Sequence, residues 1–565
     1  MCKAYFLAAC FFLVPSMGWA GTCPSGANYL NTSNPTGSLV TLASLGITSC
    51  YYIAANGSDT NDGASELSGH PWAHAPGMPN CSSKCAASTP AGGVGYIFRG
   101  GDTWHFGSSS ASPYAGGTWT WTWSGSSSSF VYVGADLGWY SGSSWARPIL
   151  NGDNSISTSP VSACTYSTGP QNILVYLSGV RYIFFDNFET TGLCWSNANL
   201  TNTAIKYTGA VGGTGNPAYI ENNYVHGWTY TTAGTQAGGS AFQTYNQNYG
   251  ETVRFNVIDG SDSNYHAIQP WGQGGDGYDF EYNVTRYAGG TTVFDECHIQ
   301  HDNLFEYMSN VTDGSSHTDV DFCYGEYSGG TSNPNIFYNN IFRYIGTIDS
   351  ATISYNLTLD TPSGQTDFVF NNVFHDFYCG AGGGCNYNAM CDGGGCGSTT
   401  MWNNTAEGGL PGYTFVWGNG AKGVSITSVN DHFITATSGT SGSFTGPSYV
   451  TEANAVYQTL STANGQGYTS LNDFSPTAAS NSTVTASGAN EATGYCADPV
   501  LHNAVAEAAC VKSTTGGCVY NSTSHNLICP GVPPNPRPVS GAWGVGAYQP
   551  AMPAPAINLT ATPSN

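Results

Sequence analysis

Short apolar runs alternate with polar turns along most of this chain, and the runs recur around one asparagine. The phrase reads Phe185-Asp186-Asn187-Phe188, then Glu221-Asn222-Asn223-Tyr224, Arg254-Phe255-Asn256-Val257 and Glu281-Tyr282-Asn283-Val284. It returns as His301-Asp302-Asn303-Leu304, Tyr338-Asn339-Asn340-Ile341, Phe370-Asn371-Asn372-Val373 and Trp402-Asn403-Asn404-Thr405. The central asparagines stand 36, 33, 27, 20, 37, 32 and 32 residues apart. A period of that size marks a solenoid. The apolar stretches are too short for helices and suit strands. Asparagine tolerates the left-handed backbone of a sharp turn. The pattern therefore predicts an all-β chain of stacked coils, a parallel β-helix, with the asparagine amides bonded in a column.

The two ends carry further signals. Lys3, the apolar run Tyr5 to Val14 and the small-residue exit Gly18-Trp19-Ala20 read as a secretory signal over residues 1–20. The run is too short to span a membrane, so the mature protein is expected outside the cytoplasm, extracellular or periplasmic. Without Cys2 and Cys10, sixteen cysteines remain, an even number that suits an oxidising compartment. Several fall in neighbouring pairs: Cys23 and Cys50, Cys81 and Cys85, Cys164 and Cys194, Cys297 and Cys323. Two quartets follow, from Cys379 to Cys396 and from Cys496 to Cys529. The first lacks the CxxC spacing of a zinc site, so local disulfides are the expectation.

Residues 51–63 (Tyr-Tyr-Ile-Ala-Ala-Asn-Gly-Ser-Asp-Thr-Asn-Asp-Gly), Pro71-Trp72 and Tyr96-Ile97-Phe98-Arg99-Gly100-Gly101-Asp102 form one group of motifs. Asp498-Pro499 and Gly541-Ala542-Trp543-Gly544-Val545-Gly546-Ala547-Tyr548 form another. Together they resemble the opening and closing signatures of secreted right-handed parallel β-helix proteins of the pectate-lyase-like superfamily. The resemblance spans roughly residues 51–550. It implies a right-handed coil, and it admits lyases, hydrolases, epimerases and non-catalytic surface proteins alike. The expected organisation is a lead-in or cap over 21–50, a β-helix over 51–440 and an irregular Ser/Thr/Gly-rich segment over 441–490. A C-terminal cap over 491–550 and a tail over 551–565 follow. A short helix is expected between Thr451 and Thr462.

Charge narrows the partners. Twelve Lys and Arg face thirty-five Asp and Glu, for a net charge of −23. Nucleic acid and anionic membranes are excluded as partners. A polyanion would need a bridging cation. The expected partner is a polysaccharide, and the chain is expected as a monomer.

Registering the coils on the asparagine gives two charged columns. Three positions after it stand His226, Asp259, Arg286, Glu306, Arg343, His375 and Glu407; two before it stand Glu221, Arg254, Glu281 and His301. Stacked strands lie about 4.8 Å apart, so these residues touch. One reading is an exposed ladder of cross-strand ion pairs, each worth a few tenths of a kcal/mol. The other is a glycan cleft. Asp259 and Glu306 would then lie about 9–10 Å apart, near the upper end of the separation in inverting glycosidases.

Chemistry also gathers in the loops of these coils. Between Asp259 and Glu326 stand thirteen of the carboxylates and four of the twelve histidines. His266, Asp295 and the alternation His317-Thr318-Asp319-Val320-Asp321 would meet on neighbouring rungs. His317, Asp319 and Asp321 share one side of a strand, expected to face solvent, sugar or a cation because burial would be costly. The candidate catalytic residues for glycoside hydrolysis are thus Asp295, Asp319, Asp321, His317 and His266. Asp319, Asp321 and Glu296 are the candidate metal ligands, for Ca²⁺ if the face holds a cation. Trp228, Trp271 and Tyr265 are candidate sugar platforms, with Arg286 and Arg343 as further substrate contacts.

Carboxylate-based hydrolysis of an extracellular polysaccharide is the leading expectation. A Ca²⁺-assisted lyase and a non-catalytic glycan-binding protein are the alternatives. The resemblance implies that a lyase would use a Lys or Arg base. The mature chain has four lysines, Lys84, Lys206, Lys422 and Lys512, and none lies in the acidic cluster.

Overall fold

The computed structural model describes residues 20–30, 39–107, 117–165, 173–195, 202–209, 217–231, 239–245, 251–264, 268–272, 278–290, 292–294, 297–310, 319–324, 334–347, 355–360, 364–378, 388–390, 397–409, 416–418, 425–435, 450–475 and 488–549. The chain winds into coils, and each coil lays one strand on each of three faces. The first face is a 14-stranded sheet, parallel except for its opening pair, Gly21–Thr22 with Ser49–Ile53. The second face has 12 parallel strands, from Thr103–His105 to Val456–Thr459. The third face is two 5-stranded parallel sheets, Trp119–Trp121 to Ile268–Gly272 and Thr292–Phe294 to Val416–Gly418. This is the all-β parallel β-helix that the periodicity predicts.

Each coil turns from the first face to the second at the asparagine. Asn222, Phe255, Tyr282, Asp302, Asn339, Asn371 and Asn403 take φ of 55–58° at the tip. The next residue carries the amide column. Asn223 Nδ2 donates to Asn256 Oδ1 at 3.1 Å, and the relay continues through Asn283, Asn303, Asn340 and Asn372 to Asn404. Each amide also donates to a backbone carbonyl of the preceding coil, as Asn283 does to Val253 at 2.8 Å. The column ends on Asp431, whose Oδ1 accepts from Asn404 Nδ2 at 3.0 Å. The first phrase is out of register. Asn187 occupies the left-handed tip, with φ 72°, and Phe188 stands at the ladder position, its N–H bonded to Asn223 Oδ1. Two adjacent positions both favour asparagine, so text alone cannot tell them apart.

Strand alternation fills the interior. Phe185, Ile220, Val253, Phe280, Gln300, Phe337, Val369 and Met401 form one inward column of the first face. On the second face Phe305, Phe342 and Phe374 stack at 4.8 and 5.0 Å. Among the described residues the α-helices are short: Ser83–Ala87, Leu460–Gly465 and Ala504–Cys510. The segment 441–490 is not irregular throughout. Val450–Ala453 and Val456–Thr459 add a further coil, and the helix begins only at Leu460. The β-branched and aromatic residues Val456, Tyr457 and Thr459 favour a strand over a helix.

Residues 488–549 return as a strap along the outside of the coil. At one end Asn430 exchanges hydrogen bonds with Ala489. Midway, Trp543, Leu501 and Cys510 pack on Tyr338, Phe370 and Trp402. Further back, Cys518, Ala547 and Tyr548 cover Val257, Val284 and Ile341. At the far end His525 stacks on Tyr224 at 4.2 Å, and its carbonyl accepts from Arg147. Gly517 marks the closest approach: a Cβ there would lie 2.9 Å from the Asn303 carbonyl. Disulfides Cys496–Cys510 and Cys518–Cys529 close loops within the strap, and Cys23–Cys50, Cys81–Cys85 and Cys164–Cys194 form as the sequence pairs them. The Cys379 quartet and the signal segment lie outside the described residues. No helix of the described residues is long and apolar enough to cross a membrane.

Candidate functional site

Both charged columns stack in the predicted register. On the first face Arg254 lies between Glu221, at 2.8 Å, and Glu281, at 3.5 Å. His301 follows, 2.8 Å from Glu281 and 2.5 Å from Asp302. Burial pulls the His301 imidazole down, but the bonds to Asp302 and Glu281 outweigh it and lift it to about 10. On the second face Arg286 joins Asp259 and Glu306 at 3.6 and 3.0 Å, and Arg343 joins Glu306 and Asp473 at 2.7 and 2.9 Å.

Neither column is an exposed ladder or a cleft. Glu221, Arg254, Asp259, Glu306 and His375 are all buried. The strap crosses them, with Thr515 bonded to Asp302 and Tyr520 over Arg286 at 5.1 Å. Arg286 and Arg343 are therefore occupied by carboxylates, and the expectation that they bind substrate is corrected. Alternating charges one rung apart satisfy each other, and a covering segment then desolvates the set.

The acidic loop residues are also placed differently from expectation. Asp319 and Asp321 share one side of strand Asp319–Tyr324, as alternation requires, but that side is the interior. Each is 1% exposed. Asp321 pairs with the core residue Leu357, and its Oδ1 accepts from the inward Gln300 at 3.5 Å. Burial pushes its carboxyl up to about 8, despite the Gln300 bond. A period of two fixes which residues share a side without fixing which side that is, and neutralisation lowers the cost of burial. Trp228 is likewise a core residue, fully buried, with Nε1 donating to the Asn264 carbonyl. It is no sugar platform. His266, Tyr265, Asp295, Glu296 and His317 lie outside the described residues. Trp271 sits in strand Ile268–Gly272, and its side chain lies outside them too.

Among the described residues no three His, Cys, Asp or Glu groups converge as a metal ion needs. Asp319 and Asp321, turned into the coil, do not fit a solvent-fed Ca²⁺ site of oxygen ligands and waters.

The third face offers different chemistry. Strand Ile173–Val180 buries Val175 and Leu177 inward, and its neighbour Asn202–Gly209 buries Ile205 and Tyr207. Alternation turns Tyr176, Ser178, Lys206 and Thr208 outward, each half-buried. Tyr176 and Lys206 are direct cross-strand partners, with Thr120 and Gln243 on the flanking strands. Lys206 Nζ lies 5.8 Å from the Tyr176 ring centre, and the Thr208 hydroxyl donates to the phenol oxygen at 3.4 Å. Burial pushes the Tyr176 phenol up, but bonds from Ser178 and Thr208 and the Lys206 charge outweigh it. The phenol is held below its ordinary value. A phenol so placed can take and return a proton, beside an ammonium that can face a carboxylate.

Tyr176, Ser178 and Thr208 escaped the sequence reading because third-face strands do not register on the asparagine. The signal was present as alternation in Ile-Leu-Val-Tyr-Leu-Ser and Thr-Ala-Ile-Lys-Tyr-Thr, with Tyr176 and Lys206 at matching polar positions.

No family model and no curated protein matches the chain. Solved structures similar to it include the pectate lyase Pel9A, at 13% identity and TM-score 0.39, covering 88% of this chain and 96% of that one. A GH136 lacto-N-biosidase from Eubacterium ramulus is similar at 12% identity and TM-score 0.38, covering 73% of this chain and 67% of that one. An alginate lyase from Paenibacillus sp. is similar at 13% identity and TM-score 0.27, covering 68% and 96%. None of these likenesses assigns an activity.

Proposed function

We infer that this protein cleaves an extracellular polysaccharide along the third face, by β-elimination at a sugar that carries a carboxylate. The observation that carries the reading is the outward Tyr176–Lys206 pair on adjacent parallel strands. Elimination needs a base for the proton beside the carboxylate and a positive group to steady the charge that develops. Tyr176, its phenol lowered, supplies the base. Lys206 supplies the positive group. Hydrolysis is favoured less, because it needs two carboxyls open to substrate and water, and Asp319 and Asp321 are inside the coil.

The step balances without an added reactant. The Tyr176 phenolate takes the proton from the carbon next to the carboxylate. Its electron pair forms a carbon–carbon double bond and expels the glycosidic oxygen on the adjacent carbon. The phenol then returns the proton to that oxygen. Ser178 and Thr208 hold the phenolate by hydrogen bonds, and Gln243 is the cross-strand neighbour of Lys206.

The test is digestion of a panel of acidic polysaccharides, polygalacturonate and alginate among them, run with and without chelator. Ultraviolet absorbance of an unsaturated product is expected, rising with pH below 10 as Tyr176 ionises. New reducing ends without that absorbance would mean hydrolysis and would discard the reading.

A further inference from the structure

A second site stands at the N-terminal end of the coil, away from the third face. Residues 22–28 lie beside residues 64–66 and 136–138, and together they line an open cavity of about 550 Å³. That volume suits a small-molecule site, about 300–1,000 Å³. Its walls come from the lead-in and from first-face strands Ser49–Ile53 and Val131–Tyr140.

The lining selects a ligand class. Asn28, Tyr52, Ser65, Glu66 and Asp136 line the cavity, and among the described residues no lysine or arginine does. Phosphates, sulfates and uronates are therefore disfavoured. Pro24, Ala64 and the Tyr52 ring are the apolar part of the lining, too short a surface to bury an acyl chain. A neutral, hydroxyl-rich molecule remains.

One wall is already set for such a ligand. Asp136 is 2% exposed, and three bonds fix its carboxylate. Oδ1 accepts from Asn28 Nδ2 and from the Gly138 N–H, each at 2.6 Å, and Oδ2 accepts from the Tyr29 hydroxyl at 2.8 Å. A carboxylate has about four lone-pair positions, so one is left. The Asn28 amide lies between two glycines. A Cβ at Gly26 would sit 2.4 Å from Asn28 Nδ2, and one at Gly138 would sit 2.8 Å from it. Either side chain would displace the amide. Donor and acceptor are thus held side by side, the spacing that adjacent sugar hydroxyls present. One hydroxyl donates to Asp136 and its neighbour pairs with the Asn28 amide. Glu66, exposed at the rim, accepts from a third.

We propose that this cavity binds a neutral sugar residue and anchors a glycan apart from the cleaving face. The juxtaposition of the fixed Asn28–Asp136 pair with a cation-free, polar cavity carries the inference. It goes beyond the cleavage reading and does not depend on it.

The experiment is titration calorimetry on the full secreted chain with cellobiose, lactose and xylobiose. Saturable binding of at least one is expected. Asn28→Ala should weaken it about tenfold, the loss of one or two hydrogen bonds. Ser25→Trp, at an exposed lining position, should abolish it by filling the mouth. Glu66→Gln, also exposed, should weaken it and cannot be blamed on unfolding. Lys206→Ala should leave it unchanged while removing cleavage. Binding of none of the three sugars would overturn the proposal. So would binding that survives Ser25→Trp, or binding lost with Lys206→Ala.

Discussion

The strap-covered corner and the third face are built by the same stacking, yet they place their charges in opposite surroundings. At the corner, Glu221, Arg254, Glu281 and His301 follow one another at strand spacing; Glu221, Arg254 and His301 are buried, and Thr515 of the strap bonds Asp302 beside them. On the third face Tyr176 and Lys206 are neighbours at the same spacing and stay half-exposed. The corner satisfies its charges internally, so nothing there is left to meet a substrate. On the third face the Tyr176 phenol and the Lys206 ammonium stand side by side, half-exposed. A charged ladder in a solenoid is therefore read as chemistry only after its cover is known.

Four substitutions test that contrast. Tyr176→Phe should lower kcat/KM about 10²–10⁴-fold, the usual worth of a general acid–base group. It should shift thermal stability by no more than about 0.5 kcal/mol, because the site is at the surface. Steady-state rates and melting curves on one preparation check both halves, and a rate within threefold of the parent would sink the assignment. Arg254→Ala should do the reverse. It leaves Glu221 buried without its guanidinium and should cost about 3–5 kcal/mol of stability. Cleavage by the folded fraction should be unchanged, as denaturant titration beside activity would show.

Asn283→Ala cuts the amide relay between Asn256 and Asn303. It should cost about 1–3 kcal/mol, since a neighbouring buried amide loses its partner. An unchanged denaturation midpoint would show the column to be decorative.

The last effect is one of pH. Asp321 is raised to about 8 by burial, Asp431 to about 7 by burial over its Ser428 and Asn404 bonds, and Asp186 to about 7 by burial and the Glu221 charge. Each folded pKa lies above the ordinary carboxyl value, so the folded state holds more protons than the unfolded one between the two. That stability is complete below about pH 4 and is lost as pH rises through 7 to 8. His226, raised to about 9, acts in the same direction above about 6.5. The melting temperature should fall between pH 5 and 8, and Asp321→Asn should flatten part of that slope. A slope identical in the variant would place the proton elsewhere.

Much of this was legible in the text. The asparagine column and both charged columns follow from period and alternation, and the disulfides Cys23–Cys50, Cys81–Cys85 and Cys164–Cys194 from cysteines that neighbour each other in the sequence. Asn187 and Phe188 show the limit of that legibility. A one-residue shift changed neither the fold nor the later columns, but it moved one residue out of the ladder. Asp319 and Asp321 show a deeper limit. Their shared side was readable and its direction was not, because the inward Gln300 supplies a partner from a different face. Tyr176 and Lys206 stand 30 residues apart. Only the coil's winding makes them neighbours.

By itself the sequence determined the repeat, and with it the rung spacing and the identity of vertical neighbours, because local turn chemistry and strand alternation need no distant information. The tertiary structure decided which columns meet water. Cover is set by where a returning C-terminal segment lies and by which way a strand faces the interior. The first depends on contacts between residues hundreds of positions apart, as between Arg147 and His525, and the second on groups from neighbouring coils, as between Gln300 and Asp321.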